Sequence, residues 1–218
     1  MRPELHRACH RRRAPLPAAA LCLALLQGCA ATPGAPAPSA RIEIQQDVGF
    51  TITEERHASG DVRGSYEEAV RLLERGEQER GIAMLQQVVA EAPELSAPLI
   101  DLGIAEHRAG NLEAAEEHLV AALALAPDHP IVHNELGIIY RKTGRFDDAR
   151  QSYQRALAVF PGYHYARRNL AVLCDLYLGD LDCALQNYEA YMTTVPADDE
   201  ASMWIADLRM RLDQQESP

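Results

Sequence analysis

A gapless period of 34 residues constrains the fold of this chain more than any other sequence feature. Residues 96–129 read SAPLIDLGIAEHRAGNLEAAEEHLVAALALAPDH, and residues 130–163 read PIVHNELGIIYRKTGRFDDARQSYQRALAVFPGY. Identical pairs in this alignment include Leu102/Leu136, Gly103/Gly137, Ile104/Ile138, Gly110/Gly144, Ala115/Ala149, Ala122/Ala156 and Pro127/Pro161. A fixed period of this length predicts a helical repeat array, in which each unit packs mainly against its neighbours.

Each unit is predicted to fold as a hairpin of two antiparallel helices. Gly110 and Gly144 follow an apolar pattern of helical period, where glycine suits a left-handed C-cap. Pro127 and Pro161 end the second helix of each unit, because proline cannot continue a helix.

Glycine also lies inside the first helix of each unit, where it is intrinsically unfavourable. Gly103 and Gly137 are therefore predicted to mark points where the second helix approaches closely. The expected neighbours are the small residues Ala115 and Ala149.

The framework of a large residue, L-G, Y, A, F, A and P at these offsets resembles the tetratricopeptide repeat (TPR). Glu106 at the tyrosine position and His133 at the tryptophan position depart from it. The resemblance implies an all-α, right-handed superhelical solenoid of about four helix hairpins plus a C-terminal capping helix. The four units would be residues 62–95, 96–129, 130–163 and 164–197, with one inserted residue near Leu178-Gly179-Asp180, followed by the capping helix and tail at 198–218.

The N-terminal segment, residues 1–28, has the composition of an export signal. Five arginines precede an apolar stretch from Ala14 to Leu26, which is too short to span a bilayer comfortably. The following Gln27-Gly28-Cys29 completes a sequence that resembles the lipobox of bacterial lipoproteins, which implies cleavage before Cys29 and lipid (palmitate) on that residue. Because Ala30 follows, bacterial sorting rules imply the outer membrane, with the domain facing the periplasm. The alternative is an ordinary signal peptide that happens to contain a cysteine.

Residues 29–61 are expected to connect this anchor to the repeats. The Pro/Ala-rich stretch 30–40 predicts an extended tether. Ile42, Ile44, Val48, Phe50 and Ile52 then alternate with mostly polar residues, which is a strand pattern. Three interpretations are open for this segment: an arm packed on the first repeat, an edge that pairs with a partner strand, or disorder.

The cysteines of the exported chain predict one disulfide. Cys9 and Cys22 leave with the signal and Cys29 is the expected anchor, so only Cys174 and Cys183 remain. Two cysteines close in sequence in an exported protein favour a disulfide. Two free thiols are the alternative.

Charge and motifs exclude several functions. The net charge is -11, and removing five Arg and one Glu with the signal gives -11 - 4 = -15, which argues against nucleic-acid binding. The sequence contains no H-E-x-x-H, P-loop, G-x-S-x-G or G-x-G-x-x-G motif. We therefore expect no enzymatic activity, metal site, cofactor or small-molecule substrate.

The TPR resemblance implies a concave groove lined by the first helix of each hairpin. The predicted partner-binding residues are Ile100, Ile104, His107, Asn134, Ile138, Arg141, Tyr165 and Arg168. Asn134, Arg141 and Arg168 are expected to point into one surface suited to an extended or helical peptide. The groove lacks the Lys/Asn set of TPR domains that clamp a C-terminal carboxylate. Alternatively, the isoleucines only pack between neighbouring repeats.

These features predict a non-enzymatic scaffold that binds a protein or peptide of an envelope complex and touches the membrane only through its N-terminal lipid. The segments GFTITEE (49–55) and HYARRNLA (164–171), with the two cysteines, resemble proteins that accompany TonB–ExbB–ExbD-like energy-transducing systems. A pilotin-like assembly factor of a type IV pilus or secretion system is an alternative, and an adaptor of peptidoglycan hydrolases is another.

Overall fold

The computed structural model describes residues 40–45, 49–54 and 58–216. Cys29, the predicted signal and nearly all of the tether lie outside these residues. The helices are α1 (Gly60–Glu74), α2 (Gln78–Glu91), α3 (Ser96–Ala109), α4 (Leu112–Leu125), α5 (Pro130–Lys142), α6 (Phe146–Val159), α7 (His164–Leu173), α8 (Leu181–Thr194) and α9 (Asp199–Glu216), with a π-helix, Cys174–Leu178, after α7.

The helices form four consecutive hairpins, α1–α2, α3–α4, α5–α6 and α7–α8, and α9 packs against α8. This arrangement confirms the predicted all-α array of four hairpins with a capping helix. The first helix begins at Gly60, two residues before the predicted start of the first repeat unit at residue 62. The Ser59 side chain accepts a hydrogen bond from the Val62 backbone N–H at 3.3 Å, which caps the helix at this earlier position.

The turn inside every hairpin contains a glycine with positive φ. Gly76, Gly110, Gly144 and Gly179 have φ values of 77°, 89°, 77° and 64°. Residues with a Cβ rarely adopt this left-handed conformation, so glycine fixes where each hairpin reverses. The first three glycines are 34 residues apart, whereas Gly179 follows Gly144 by 179 - 144 = 35 residues.

The π-helix accommodates the extra residue of the fourth unit. Its wider i→i+5 turn extends α7 by the one inserted residue that the sequence predicted near Leu178. Cys174 at its start and Cys183 in the first turn of α8 form the predicted disulfide, with Cα atoms 5.8 Å apart. Asp180 caps α8 through a 3.1 Å bond from the Cys183 N–H.

Helix packing within the hairpins is closest at the mid-helix glycines. A Cβ added to Gly103 would lie 2.6 Å from Leu119 Cγ, and one added to Gly137 would lie 2.5 Å from the Tyr153 ring. The predicted close approach is confirmed, and so is Ala115 as a neighbour, since its carbonyl oxygen would lie 3.2 Å from a Cβ on Gly103. At Gly137 the three nearest atoms belong to Tyr153 rather than to the expected Ala149. A long side chain on a helix leans toward the N-terminus, so Leu119 and Tyr153 cover the turn that holds those alanines.

Residues before the repeats form a short antiparallel ribbon. Strand β1 (Ala40–Gln45) pairs with β2 (Gly49–Glu54), and the register sets Ile42 opposite Ile52 and Ile44 opposite Phe50. The pairing confirms the strand pattern, and the interpretation of this segment as an arm packed on the first repeat stays a prediction.

Within the described residues, no helix combines the length and the apolar character that crossing a membrane requires.

Candidate functional site

The first helices of the hairpins, α1, α3, α5 and α7, lie side by side and form one surface, called here the first-helix face. Polar side chains on this face are bonded across the gaps between neighbouring helices. The Tyr66 hydroxyl donates to Asp101 Oδ2 at 2.5 Å, and Asn169 Nδ2 donates to Asn134 Oδ1 at 2.9 Å. In each of these two bonds, the donor and the acceptor residue are 35 positions apart in the sequence. Each bond therefore joins equivalent parts of adjacent repeats.

A connected set of charged groups joins the second and third repeats. Lys142 Nζ lies 2.8 Å from His107 Nε2, and His107 Nδ1 lies 3.1 Å from Glu135 Oε2. An ammonium group has no lone pair, so Nε2 must accept and the proton resides on Nδ1, which donates to Glu135. The imidazole therefore connects a cation to a carboxylate and fixes the position of both.

Arg141 lies between two tyrosines from different helices. Its Nη1 donates to the Tyr177 hydroxyl at 3.3 Å, and its guanidinium carbon lies 5.6 Å from the centre of that ring. Tyr153 is fully buried beside it. Burial raises the pKa of Tyr153 to about 12, an effect that the neighbouring Arg141 partly opposes.

The capping helix closes the other end of the face. Arg168 on α7 lies over the Trp204 ring at 5.0 Å and forms a 3.6 Å ion pair with Glu200. Asp175 accepts from Arg211 Nη1 at 2.8 Å. Helix α9 thus contacts α7 much as the first helix of a fifth repeat would.

The comparisons with known proteins agree with this geometry. A family model described as "Tetratricopeptide repeat" matches residues 94–162 and again residues 128–195. The helical array is a tetratricopeptide repeat fold. No curated protein matches the chain significantly.

Solved TPR-like structures share the fold over most of the chain. MamA from Desulfovibrio magneticus RS-1 is 18% identical with a TM-score of 0.65, and the match covers 72% of this chain and 88% of MamA. PilF of Pseudomonas aeruginosa is 18% identical with a TM-score of 0.62, over 70% of this chain and 69% of PilF. The first TPR of Spaghetti (RPAP3), bound to the HSP90 peptide SRMEEVD, is 19% identical with a TM-score of 0.51. The match covers 54% of this chain and 93% of that domain. At these identities the similarity concerns the fold.

The TPR array does not present all the predicted groove residues to solvent. Ile100 is only 6% exposed and packs in the core shared by α3, α4 and α5, and Asn134 is 3% exposed. The expectation that Asn134 points into a peptide-binding surface is therefore not supported, because Asn169 and Glu135 already bond its amide oxygen and nitrogen. Ile104 and Ile138 are half-buried.

The remaining predicted residues are more accessible, but they are not gathered into one cluster. Tyr165 is 59% exposed, with its ring 4.1 Å from that of His164. Arg141 is engaged by Tyr177 and Arg168 by Trp204 on a different helix, so each arginine is positioned by its own aromatic partner.

Three polar residues of this face were not identified from the sequence. Asp101, Glu135 and Asn169 are 34 residues apart and occupy the same position of successive repeats. Each takes part in a bond to a neighbouring first helix. Their recurrence as polar residues at one position of an otherwise apolar helix was the signal that could have identified them.

Proposed function

We propose that this TPR protein is a non-enzymatic scaffold of the bacterial envelope, which binds an extended or helical segment of a partner protein along its first-helix face. In the TPR family this face is the concave one. The bonds between repeats hold it in a fixed shape before a partner arrives, which lowers the entropy lost on binding. This ordered face, on which Tyr165 is exposed and Ile104 and Ile138 are half-buried, is the observation that carries the proposal.

The proposed location is the periplasmic side of the outer membrane, with a lipid on Cys29. This part rests on the lipobox-like sequence at 26–29. The sequence resemblance favours one specific role, which is participation in a TonB–ExbB–ExbD-like energy-transducing complex.

In-cell photo-crosslinking tests the binding surface. A photoreactive phenylalanine analogue replaces Tyr165 on the first-helix face, and in a matched variant it replaces Val120, which is 49% exposed on the second helix α4. Discrete adducts with an envelope protein are expected at position 165 and absent at position 120. Equal adducts at both positions, or adducts only at position 120, would refute the first-helix face as the binding surface.

A pilotin-like assembly factor is the second candidate, and the shared fold with PilF is the observation that favours it. The two roles differ in the phenotype of a deletion strain. Loss of secretin from the outer membrane is expected for an assembly factor, whereas loss of energy-dependent uptake with normal secretin is expected for the first role.

A further inference from the structure

A cleft of about 250 Å³ lies between α1 and α3 near their C-terminal ends. Its apolar wall consists of Val70, Leu73, Ile104 and Ala105, and its polar groups belong to Glu74, Gln78, Asp101 and Arg108. The size suits one long side chain rather than a small-molecule substrate.

The Asp101 carboxylate lines this cleft and is half-buried. Tyr66 donates to Oδ2, but no Lys, Arg or His nitrogen of the described residues lies within 4.0 Å of either carboxylate oxygen. Burial raises the pKa of Asp101, and the more distant Arg108 only partly opposes this effect. A carboxylate can accept about four hydrogen bonds, so Oδ1 can still accept from a ligand.

We propose that this cleft binds an arginine or lysine side chain of the partner. The inference rests on the proposed function, since it identifies one contact of the same first-helix face. The alkyl stem of such a side chain would lie on Val70, Leu73 and Ile104, while its charged end reaches Asp101, with Glu74 at the rim. The chain's net charge of -11 also favours a basic partner segment.

Two small probes of nearly equal shape test the charge preference directly. n-Butylguanidinium chloride mimics an arginine side chain, and n-butylurea is its neutral counterpart. Each is titrated into the exported chain carrying Cys29→Ser, while methyl NMR signals of Leu73 and Ile104 are followed. The guanidinium is expected to bind about tenfold more tightly than the urea, as one charge-assisted hydrogen bond would give.

Asp101→Asn should remove this difference, because the amide oxygen can still accept from Tyr66 but carries no charge. Glu117→Gln, at an exposed position of α4, is the matched control and should keep the full preference. If Asp101→Asn fails to fold by circular dichroism, Arg108→Ala provides the second test. Removing that competing cation should tighten guanidinium binding several-fold.

Equal affinity of the two probes for the unmodified cleft would overturn the inference, as would weaker guanidinium binding by Arg108→Ala. Its failure is distinguishable from failure of the proposed function. Adducts at position 165 without a charge preference would leave the scaffold role intact and remove only the basic-residue contact. A charge preference without adducts at position 165 would support the cleft and contradict the partner surface.

Discussion

At the scale of single residues, the polar groups of the first-helix face serve mainly to join the repeats. Asp101 accepts from the repeat before it, Glu135 accepts from His107 of the preceding repeat, and Asn169 donates to Asn134. These three side chains are half-buried, where polar groups are usually paired, and pairing across the gap fixes how adjacent hairpins sit. A partner protein would therefore contact the side chains of the first-helix face that these bonds leave accessible, and not every residue at a groove position.

Gly137→Ala should destabilise the protein by about 1–3 kcal/mol, because the new methyl group would overlap the fully buried Tyr153 ring. The matched control is Gly64→Ala in α1, where no atom lies within 4 Å of the added Cβ. There the better helix propensity of alanine should stabilise by about 0.5–1 kcal/mol. Urea unfolding of both variants measures the difference, and a stabilised Gly137→Ala protein would show that the contact is looser than described.

Buried His129 should make the protein less stable in mild acid. Burial lowers its pKa from the ordinary 6.5 to about 4, with a further contribution from His133. Between these values the unfolded chain binds a proton that the folded chain does not, so stability falls as the pH falls through this window. The loss should reach about 2 kcal/mol near pH 5.

His129→Asn tests this effect, because asparagine can still accept the Val132 N–H bond that caps α5 but does not titrate. Its unfolding free energy, measured in urea near pH 7 and near pH 5, should change less than that of the parent. Burial also lowers the pKa of His133, so part of the pH dependence will remain. An unchanged pH dependence would mean that His129 takes up its proton in the folded state.

The residue scale also shows where prediction from the sequence stops. The sequence of one repeat specifies which positions of its two helices face each other within the hairpin. The contacts of Gly103 and Gly137 with the second helix of their own hairpin could therefore be predicted. The burial of Asn134 and the contact of Arg168 with Trp204 depend on how one hairpin is rotated against the next. A position within a single repeat does not specify that rotation.

At the scale of elements, the sequence predicted the hairpins because glycine and proline mark their turns at a constant period. The fourth hairpin departs from this period by one residue; the sequence predicted the insertion near Leu178 but did not indicate that a π-helix accommodates it. Leu176 and Tyr177 of this π-helix are 69% and 43% exposed. The disulfide ties this wider turn to α8.

Removing that disulfide should therefore destabilise mainly the fourth repeat. The chain-entropy estimate for so short a loop is about 2–3 kcal/mol. Cys174→Ala/Cys183→Ala should unfold at lower urea, and hydrogen exchange should quicken in α7 and α8 more than in α1 and α2, since repeats contact only their neighbours.

The native exported protein provides the matching chemical test. Both thiols should resist alkylation until a reductant is added, whereas the reduced protein should take up two labels. Free alkylation without reductant would contradict the bond in the exported protein.

At the scale of the whole molecule, four repeats and a capping helix make one continuous first-helix face. The ribbon β1–β2 comes between the array and the tether, and an isolated two-stranded ribbon is marginally stable. Its strand pattern was readable from the alternating isoleucines, but the sequence did not indicate whether a helix covers it. The interpretation as an edge that pairs with a partner strand remains a prediction.

Cys29→Ser should release the whole protein from membranes. The expected lipid on Cys29 is the membrane attachment that this variant removes. Within the described residues, no helix has the length and apolar character needed to cross the membrane in place of that lipid. Osmotic shock should then yield the variant in the soluble periplasmic fraction, and radioactive palmitate should label the parent but not the variant.

Cys22→Ser, inside the predicted signal, is the matched control and should keep both membrane association and label. A Cys29→Ser protein that stays with the membrane, beside a parent that takes up no palmitate, would show that residues 1–28 are an ordinary signal or that another segment provides the anchor.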